Sequence, residues 1–365
     1  MRVISLCVEG YRNLRSFTFL PGPGVNVVYG DNAQGKTNLA EALWLFCGQK
    51  SFRGSRDGEL VSFNGSAAKL KLRFFAEERE QESELLIDTA RHASLNGVKL
   101  SSPTELSRRF CAVVFSPEHL SFVKEGPGVR RRFLDSAIIQ LRPKYGSLLA
   151  GYHRAVKQRN VLLRDSVRHS ELLELLSAYE YHIARFGAGI LAKRRSYVEA
   201  LRKEAPEIYK GLSGGREKLS ITYQCTCGGG SEEEMIAALK ASRETDFRLG
   251  STTVGPHRDD VDLEIDQRSC RLYGSQGQQR SAVLALKLAE AAILKRHFKE
   301  QPIAVLDDVM SELDAARQDY ILNHMEGWQV FITCCDPAAV LRLSGGRAFF
   351  MADGMLSQAG KDGEI

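Results

Sequence analysis

Apolar and polar positions alternate over the first part of the chain in a way that predicts short strands. Val3 to Val8 and Ser16 to Leu20 read as two strands separated by Gly10-Tyr11-Arg12-Asn13-Leu14. Pro21-Gly22-Pro23-Gly24 then turns the chain into the apolar run Val25-Asn26-Val27-Val28-Tyr29, which reads as a buried strand. Asn38 to Phe46 changes period and places apolar residues at helical spacing. Lys69 to Phe75 and Glu84 to Asp88 alternate again, with Asn96-Gly97 as a hairpin turn, and Ala112-Val113-Val114-Phe115 is a buried strand ending at Ser116-Pro117-Glu118.

From about Glu118 to about Tyr209 apolar residues recur every three or four positions, as in Leu162-Leu163, Leu172-Leu173, Leu175-Leu176, Tyr179, Ile183 and Phe186. The periodicity fits a helical insert and equally fits extra helices covering one end of a sheet. Gly211-Leu212-Ser213-Gly214-Gly215 closes this region, and strand patterns return at Lys218 to Gln224 and Val261 to Ile265. Ala282 to Phe298 reads as a long helix. Ile303 to Leu306 and Gln329 to Thr333 have the continuous apolar character of strands covered on both faces. The expected division is residues 1–118, a helical insert 119–214, and 215–365 completing the first lobe.

Between the strand at Val25 and the helix after it lies Gly30-Asp31-Asn32-Ala33-Gln34-Gly35-Lys36-Thr37, followed by Asn38. Two glycines let such a loop curl until consecutive backbone N–H groups form an anion nest at the positive end of a helix. Lys36 would neutralise the β- and γ-phosphates of ATP, and Thr37 would offer its hydroxyl to Mg²⁺. Ile303-Ala304-Val305-Leu306 delivers Asp307 and Asp308 at a strand end, where α/β sheets place ligands. Asp307 suits Mg²⁺ opposite Thr37, and Asp308 suits a carboxylate that orients or deprotonates water. Gly274-Ser275-Gln276-Gly277-Gln278 opens a long helix with Ser275 as a cap, a second seat for an anion. Gly255-Pro256-His257-Arg258-Asp259-Asp260 reads as a proline turn entering a strand.

Composition changes the picture in one place. The 365 residues carry a formal charge of only +5, but Lys124 to Asn160 contains nine bases against two acids. Lys124, Arg130, Arg131, Arg132, Lys144, Arg154, Lys157 and Arg159 are therefore candidate contacts for the backbone of DNA, with too few aromatics for base stacking. No apolar run approaches the ~18 residues of a membrane span, so no membrane partner and a cytoplasmic location are expected. The eight cysteines lack the spacing of a disulfide framework, and Cys225 and Cys227 have no second pair with which to hold zinc.

The order of phosphate loop, helix-capping signature, Asp-Asp strand and Ser311-Glu312-Leu313-Asp314 resembles the ATP-binding-cassette (ABC-type) P-loop ATPase heads of the SMC type, and most closely the RecF family of recombinational-repair proteins. Gly30 to Leu39, Phe115 to Glu118, Arg130 to Asp135, Thr252 to Asp260 and Gly274 to Glu290 each resemble blocks of that family. The resemblance implies an α/β ATPase head with a mixed sheet, interrupted by a helical second lobe, that dimerises around ATP. It implies that Lys36, Asp308 and Ser275 are catalytic, that Ser275, Gly277 and Gln278 touch the partner subunit's γ-phosphate, that Asp314 lies near the dimer seam, and that Arg12 and Asn13 approach the nucleotide. It further implies slow ATP hydrolysis coupled to closure on duplex DNA at single-strand gaps, replication restart, the SOS response, and RecR and RecO as partners. An adaptor that loads partner proteins with incidental hydrolysis is the alternative. Where such heads carry a glutamate and a histidine, this chain has Asp308 and no histidine near Thr333, and Glu118 is either a substitute for a glutamine beside the metal or a helix cap.

Overall fold

A computed structural model describes residues 1–120, 122–165 and 173–358. Leu172, part of the expected helical pattern, and the side chains of Leu173 and Glu118 lie outside the described residues. The chain forms two compact units, one of residues 1–121, 207–216 and 280–365, the other of 122–206 and 217–279.

The first unit holds two six-stranded sheets. In one, Met355–Gln358, Arg347–Ala352, Val25–Tyr29, Val330–Cys334, Ile303–Asp307 and Ala112–Phe115 lie side by side in that order. All neighbours are parallel except the edge hairpin of Met355–Gln358 with Arg347–Ala352. Every residue of Ile303–Asp307 and of Val330–Cys334 is buried, which is why these strands read as unbroken apolar runs. The register sets Asp307 beside Thr333, and Thr333 beside Val28, so three strand ends converge where the phosphate loop begins.

The other sheet is antiparallel, in the order Phe17–Phe19, Arg2–Glu9, Ala68–Ala76, Arg79–Ile87, Arg91–Leu95, Val98–Lys99. Its central strands alternate buried and exposed positions, the signature of a sheet with one face in the core. Asn96 and Gly97 both have positive φ, as a two-residue hairpin turn between twisted strands requires. Leu6, Val8, Phe19, Leu70, Phe74, Leu39, Trp44, Phe46, Val305 and Phe331 share one core, and the Phe19 ring packs edge-on against Phe331 and Phe349. Each such side chain removed from water contributes about 1.5–3 kcal/mol.

The second unit is built from the helices Pro127–Leu141 and Lys144–Asp165, most of Leu173–Leu212, two short helices at Glu232–Ala241 and Arg243–Leu249, and a three-stranded antiparallel sheet of Arg268–Ser269, Asp260–Ile265 and Leu219–Gln224. Residues 217–279, expected with the C-terminal part of the ATPase lobe, group instead with the helices. Buried ion pairs join this segment to them: Arg130 with Asp260, and Arg159 with Asp246. The 40-residue helix Leu173–Leu212 carries Pro206 inside it, and the division between units falls at the next residue. The helix expected from Ala282 starts earlier, at Gln276, and runs to Phe298.

Candidate nucleotide site

In the first unit the phosphate loop is held open by backbone conformation. Gly30, Ala33 and Gly35 have φ of 150°, 65° and 112°. A Cβ on Gly35 would come within 2.6 Å of Leu14, and one on Gly30 would strike the Met351 carbonyl, so both positions require glycine. Neighbouring segments fix the outside of the loop. The Asn13 amide donates to the Ala33 carbonyl at 3.0 Å and accepts from Asn38 at 2.7 Å. The Gln34 side chain accepts from the Asp353 N–H at 2.6 Å, and its carbonyl accepts from the Gly354 N–H at 3.2 Å. Asp31 and Asn32 are exposed at the rim.

Lys36 stands at the start of the helix Lys36–Leu45 with its ammonium folded back into the loop, donating to the carbonyls of Gly30 and Asp31 at 2.7 Å each. The Thr37 hydroxyl donates to Asp307 Oδ1 at 3.0 Å, and Thr333 donates to the same oxygen at 2.7 Å. A hydroxyl and a buried carboxylate in contact are hard oxygen donors, and Mg²⁺ takes one or two such protein ligands together with phosphate oxygens and water. Thr37 and Asp307 therefore fit the metal expected there.

Asp308 has φ of 53°, with its N–H bonded to the Thr333 hydroxyl at 3.1 Å and carbonyl at 3.2 Å. Ser311 donates to its carbonyl at 3.2 Å and to its Oδ1 at 3.4 Å. Cys335 directly follows the strand Val330–Cys334. Its thiol is exposed, 3.2 Å from Asn32 Oδ1 and 3.7 Å from Lys36 Nζ. Its neighbour Cys334 is buried, and burial pushes that thiol up to about 11.

Arg12 is paired with an acid on the helix Lys36–Leu45. Its guanidinium grips the buried carboxylate of Glu41, at 2.9 to 3.1 Å, and Glu41 also accepts from the Tyr11 hydroxyl at 2.8 Å and from Ser51. Arg12 thus anchors the segment that carries Asn13, and Asn13 is the one that borders the loop. Sequence reasoning missed Glu41 and Thr333. The signal for Glu41 was a lone acid among the apolar positions of Lys36–Leu45, and the signal for Thr333 was a hydroxyl ending an apolar strand. Asp314 caps the helix Ala315–His324 through the Arg317 N–H at 3.0 Å, and that hydrogen bond, with the Arg317 charge, holds its carboxyl below the usual range. Glu118 lies in a short helical turn, Pro117–Leu120.

In the second unit, Ser275 caps the helix Gln276–Phe298. Its Oγ accepts from the Gln278 N–H at 3.2 Å while the Gln278 side chain accepts from the Ser275 N–H at 2.7 Å, a reciprocal capping box. Gln278 donates onward to Glu217 at 2.8 Å. Ser275 is exposed, and Gly277 and Gln278 are half-buried.

The basic stretch splits in two. Lys124, Arg132, Lys144, Arg154 and Lys157 are exposed. Arg130 and Arg159 are not available at the surface. Arg130 is buried against Asp260 at 2.6 and 2.7 Å, and Arg159, at 0% exposure, lies between Asp246 at 2.6 Å and Glu180 at 3.1 Å. Their charges are neutralised inside the fold, which removes both from the expected DNA footprint. Arg131 is half-buried and donates to the Asp259 carbonyl at 2.6 Å.

The chain matches the RecF/RecN/SMC N terminal domain family over residues 2–354. It is 37% identical over 336 residues to the DNA replication and repair protein RecF of Lachnoclostridium phytofermentans, covering 92% of each chain. It is 38% identical over 339 residues to the protein of the same name from Clostridium perfringens strain SM101, covering 92% of this chain and 93% of that one. Among solved structures it is similar to the recombination mediator protein RecF with ATP in the RecFOR pathway, with a TM-score of 0.90, 34% identity and 98% of both chains covered. The Smc head domain of Pyrococcus furiosus, at 16% identity and a TM-score of 0.55, shares the fold. No helix among the described residues is long and apolar enough to cross a membrane.

Proposed function

The chain belongs to the RecF family of DNA replication and repair proteins, and on that premise we propose that it closes as an ATP-sandwiched dimer on duplex DNA at single-strand gaps and reopens on slow ATP hydrolysis. Lys36 and the N–H groups of residues 30–38 bind the triphosphate. Mg²⁺, when bound, supplies charge neutralisation at the β- and γ-phosphates, and Thr37 and Asp307 hold it. Asp308 orients water or takes its proton, the shorter carboxylate accounting for slow turnover. Asp314 lies beside the seam.

The observation that carries this reading is the exposed capping box of Ser275. Ser275 and Gln276, at the start of a 23-residue helix, are exposed, while the complete phosphate loop lies in the other compact unit. Ser275, Gly277 and Gln278 complete the site of a second copy by reaching its γ-phosphate, as an anion at a helix N-terminus is stabilised. The exposed bases Lys124, Arg132, Lys144, Arg154 and Lys157 hold DNA through its backbone, without regard to sequence. RecR and RecO are the partners that follow from the pathway named for the similar solved protein, and replication restart and the SOS response are the processes served.

Sedimentation with ATP, ADP and a non-hydrolysable analogue, each with and without gapped duplex, tests the reading. A dimer formed with ATP or the analogue and stabilised by DNA is the expected result. A chain that stays monomeric with ATP, or a Ser275→Arg variant that dimerises normally, would remove the sandwich.

A further inference from the structure

Thr252 to Asp260 takes no part in the nucleotide chemistry, yet its polar groups are tied down almost one by one. Thr252 bonds through both N–H and hydroxyl to Asn160 Oδ1, at 2.7 Å each, and Thr253 does the same to the buried Asp246 at 2.8 and 2.6 Å. Gly255 has φ of 124°, and a Cβ there would strike the Tyr152 hydroxyl. The Pro256 carbonyl accepts from Arg194 at 2.6 Å. The Asp259 carboxylate accepts from the Tyr223 hydroxyl at 2.7 Å and from the N–H and hydroxyl of Thr226 at 2.8 and 2.9 Å.

His257 is clamped between the Tyr152 hydroxyl at 2.6 Å and the Thr252 carbonyl at 3.0 Å. Burial lowers it to about 4, so the ring is neutral, Nε2–H donates to the carbonyl, and Nδ1 accepts from Tyr152. Arg258, His153 and Arg131 also face that ring and lower it further. Arg131 from the helix Pro127–Leu141 and Arg258 from the loop therefore gather on this side of the unit.

Arg258 is the one exposed residue of the segment. Its Nε donates to the Thr252 carbonyl at 3.1 Å, which points the rest of the guanidinium outward, and no carboxylate among the described residues pairs with it. Arg131 donates to the carbonyl of Asp259 in the same loop. The acids that face Arg131 are Asp260, Asp135 and Asp259. Each has another partner: Asp260 has Arg130, Asp135 has Arg194 and Tyr145, and Asp259 has Tyr223 and Thr226. Arg258 is left without an acid of its own, and Arg131, held to the same loop from the helix Pro127–Leu141, faces Asp259, whose other partners are neutral. Arg154 and Lys157, exposed three residues apart on the helix that carries Tyr152 and His153, extend the positive surface.

We propose that Arg258 and Arg131, extended by Arg154 and Lys157, form a seat for the phosphodiester backbone of DNA. The proposal rests on the DNA-binding reading above and names the residues that carry it. Guanidinium forks match phosphate oxygens, and a loop already held in place loses little conformational freedom when it binds.

The test is titration of the full chain, with ATP, against labelled gapped duplex over a series of salt concentrations. Arg258→Gln combined with Arg131→Gln should weaken binding by roughly tenfold or more and lower the salt slope by about two phosphate contacts. Arg258→Lys, which keeps the charge and loses the bond to the Thr252 carbonyl, should retain most of the affinity, separating charge from loop geometry. Thermal unfolding of each variant identifies any loss that comes from misfolding. Wild-type affinity and slope in the double glutamine variant would overturn the seat and leave the DNA reading standing. A wild-type chain that fails to bind gapped duplex with ATP would overturn both. Tripolyphosphate without DNA provides the second arm: tight stoichiometric binding lost in Arg258→Gln would reassign the loop to a free phosphate ligand.

Discussion

The phosphate loop and the interior of the second unit handle charge in opposite ways. Around Lys36 and Asp307 the charged groups are held by carbonyls and hydroxyls, contacts that a triphosphate and a cation can replace. Around Arg159 the charges are matched to one another: Asp246 and Glu180 are buried with it, and Arg243 closes the far side of Glu180 at 2.7 Å. A charge held by neutral partners is ready for a ligand, whereas a charge held by its opposite is part of the framework. Residue type does not distinguish the two, and packing does.

Removing one member from each region should separate them. Arg159→Met leaves Asp246 buried without its cation and Glu180 with Arg243 alone, and about 3–5 kcal/mol of stability should be lost, read as a large fall in the unfolding midpoint. ATP affinity of the folded fraction should persist. Lys36→Met should lower ATP affinity by roughly a hundredfold or more and abolish ATP-dependent dimers, while the unfolding midpoint without nucleotide stays close to the parent. If Lys36→Met unfolds the protein and Arg159→Met does not, the contrast is reversed.

A loss of similar size, confined to turnover, is expected at Asp308. Asp308→Asn keeps the shape and removes the negative charge, so turnover should drop by about 10²-fold or more while ATP still closes the dimer. Unchanged turnover would take Asp308 out of the chemistry. The second unit should also respond to acid. His257 is held to about 4 by burial, so its neutral form contributes stability that is fully present above its unfolded value near 6.5 and is lost as pH falls from there toward 4. His119 in the first unit is lowered by burial and by Lys287, and acts in the same direction. The unfolding midpoint should fall over that window, and His257→Gln should flatten the slope. The smallest change is expected for Lys144→Gln, an exposed base whose loss should reduce the salt slope of DNA binding by about one contact and leave stability within about 0.5 kcal/mol.

Much of the first unit is written in its hydrophobic pattern. The apolar runs at Val25, Ile303 and Val330 are legible because a parallel sheet covered on both faces leaves no polar position to break them. Lys36, Thr37 and Asp307 come together as expected because one strand end positions each side of the site. The sharing of Glu41 by Arg12, Tyr11 and Ser51 was hidden, because the adjacent Tyr11 and Arg12 lie 30 and 29 residues before it and Ser51 lies 10 residues after it. The basic stretch misled for a related reason. Its acids, Asp246, Asp260 and Glu180, lie outside Lys124 to Asn160, so a local count of charge could not see that Arg130 and Arg159 were already matched.

The left-handed backbone of Asp308 carries a cost in stability. An L-residue pays roughly 1 kcal/mol to hold that conformation, and glycine would adopt it freely. A glycine variant should therefore melt no lower than its parent and, if the carboxylate has the proposed role, cease to cycle.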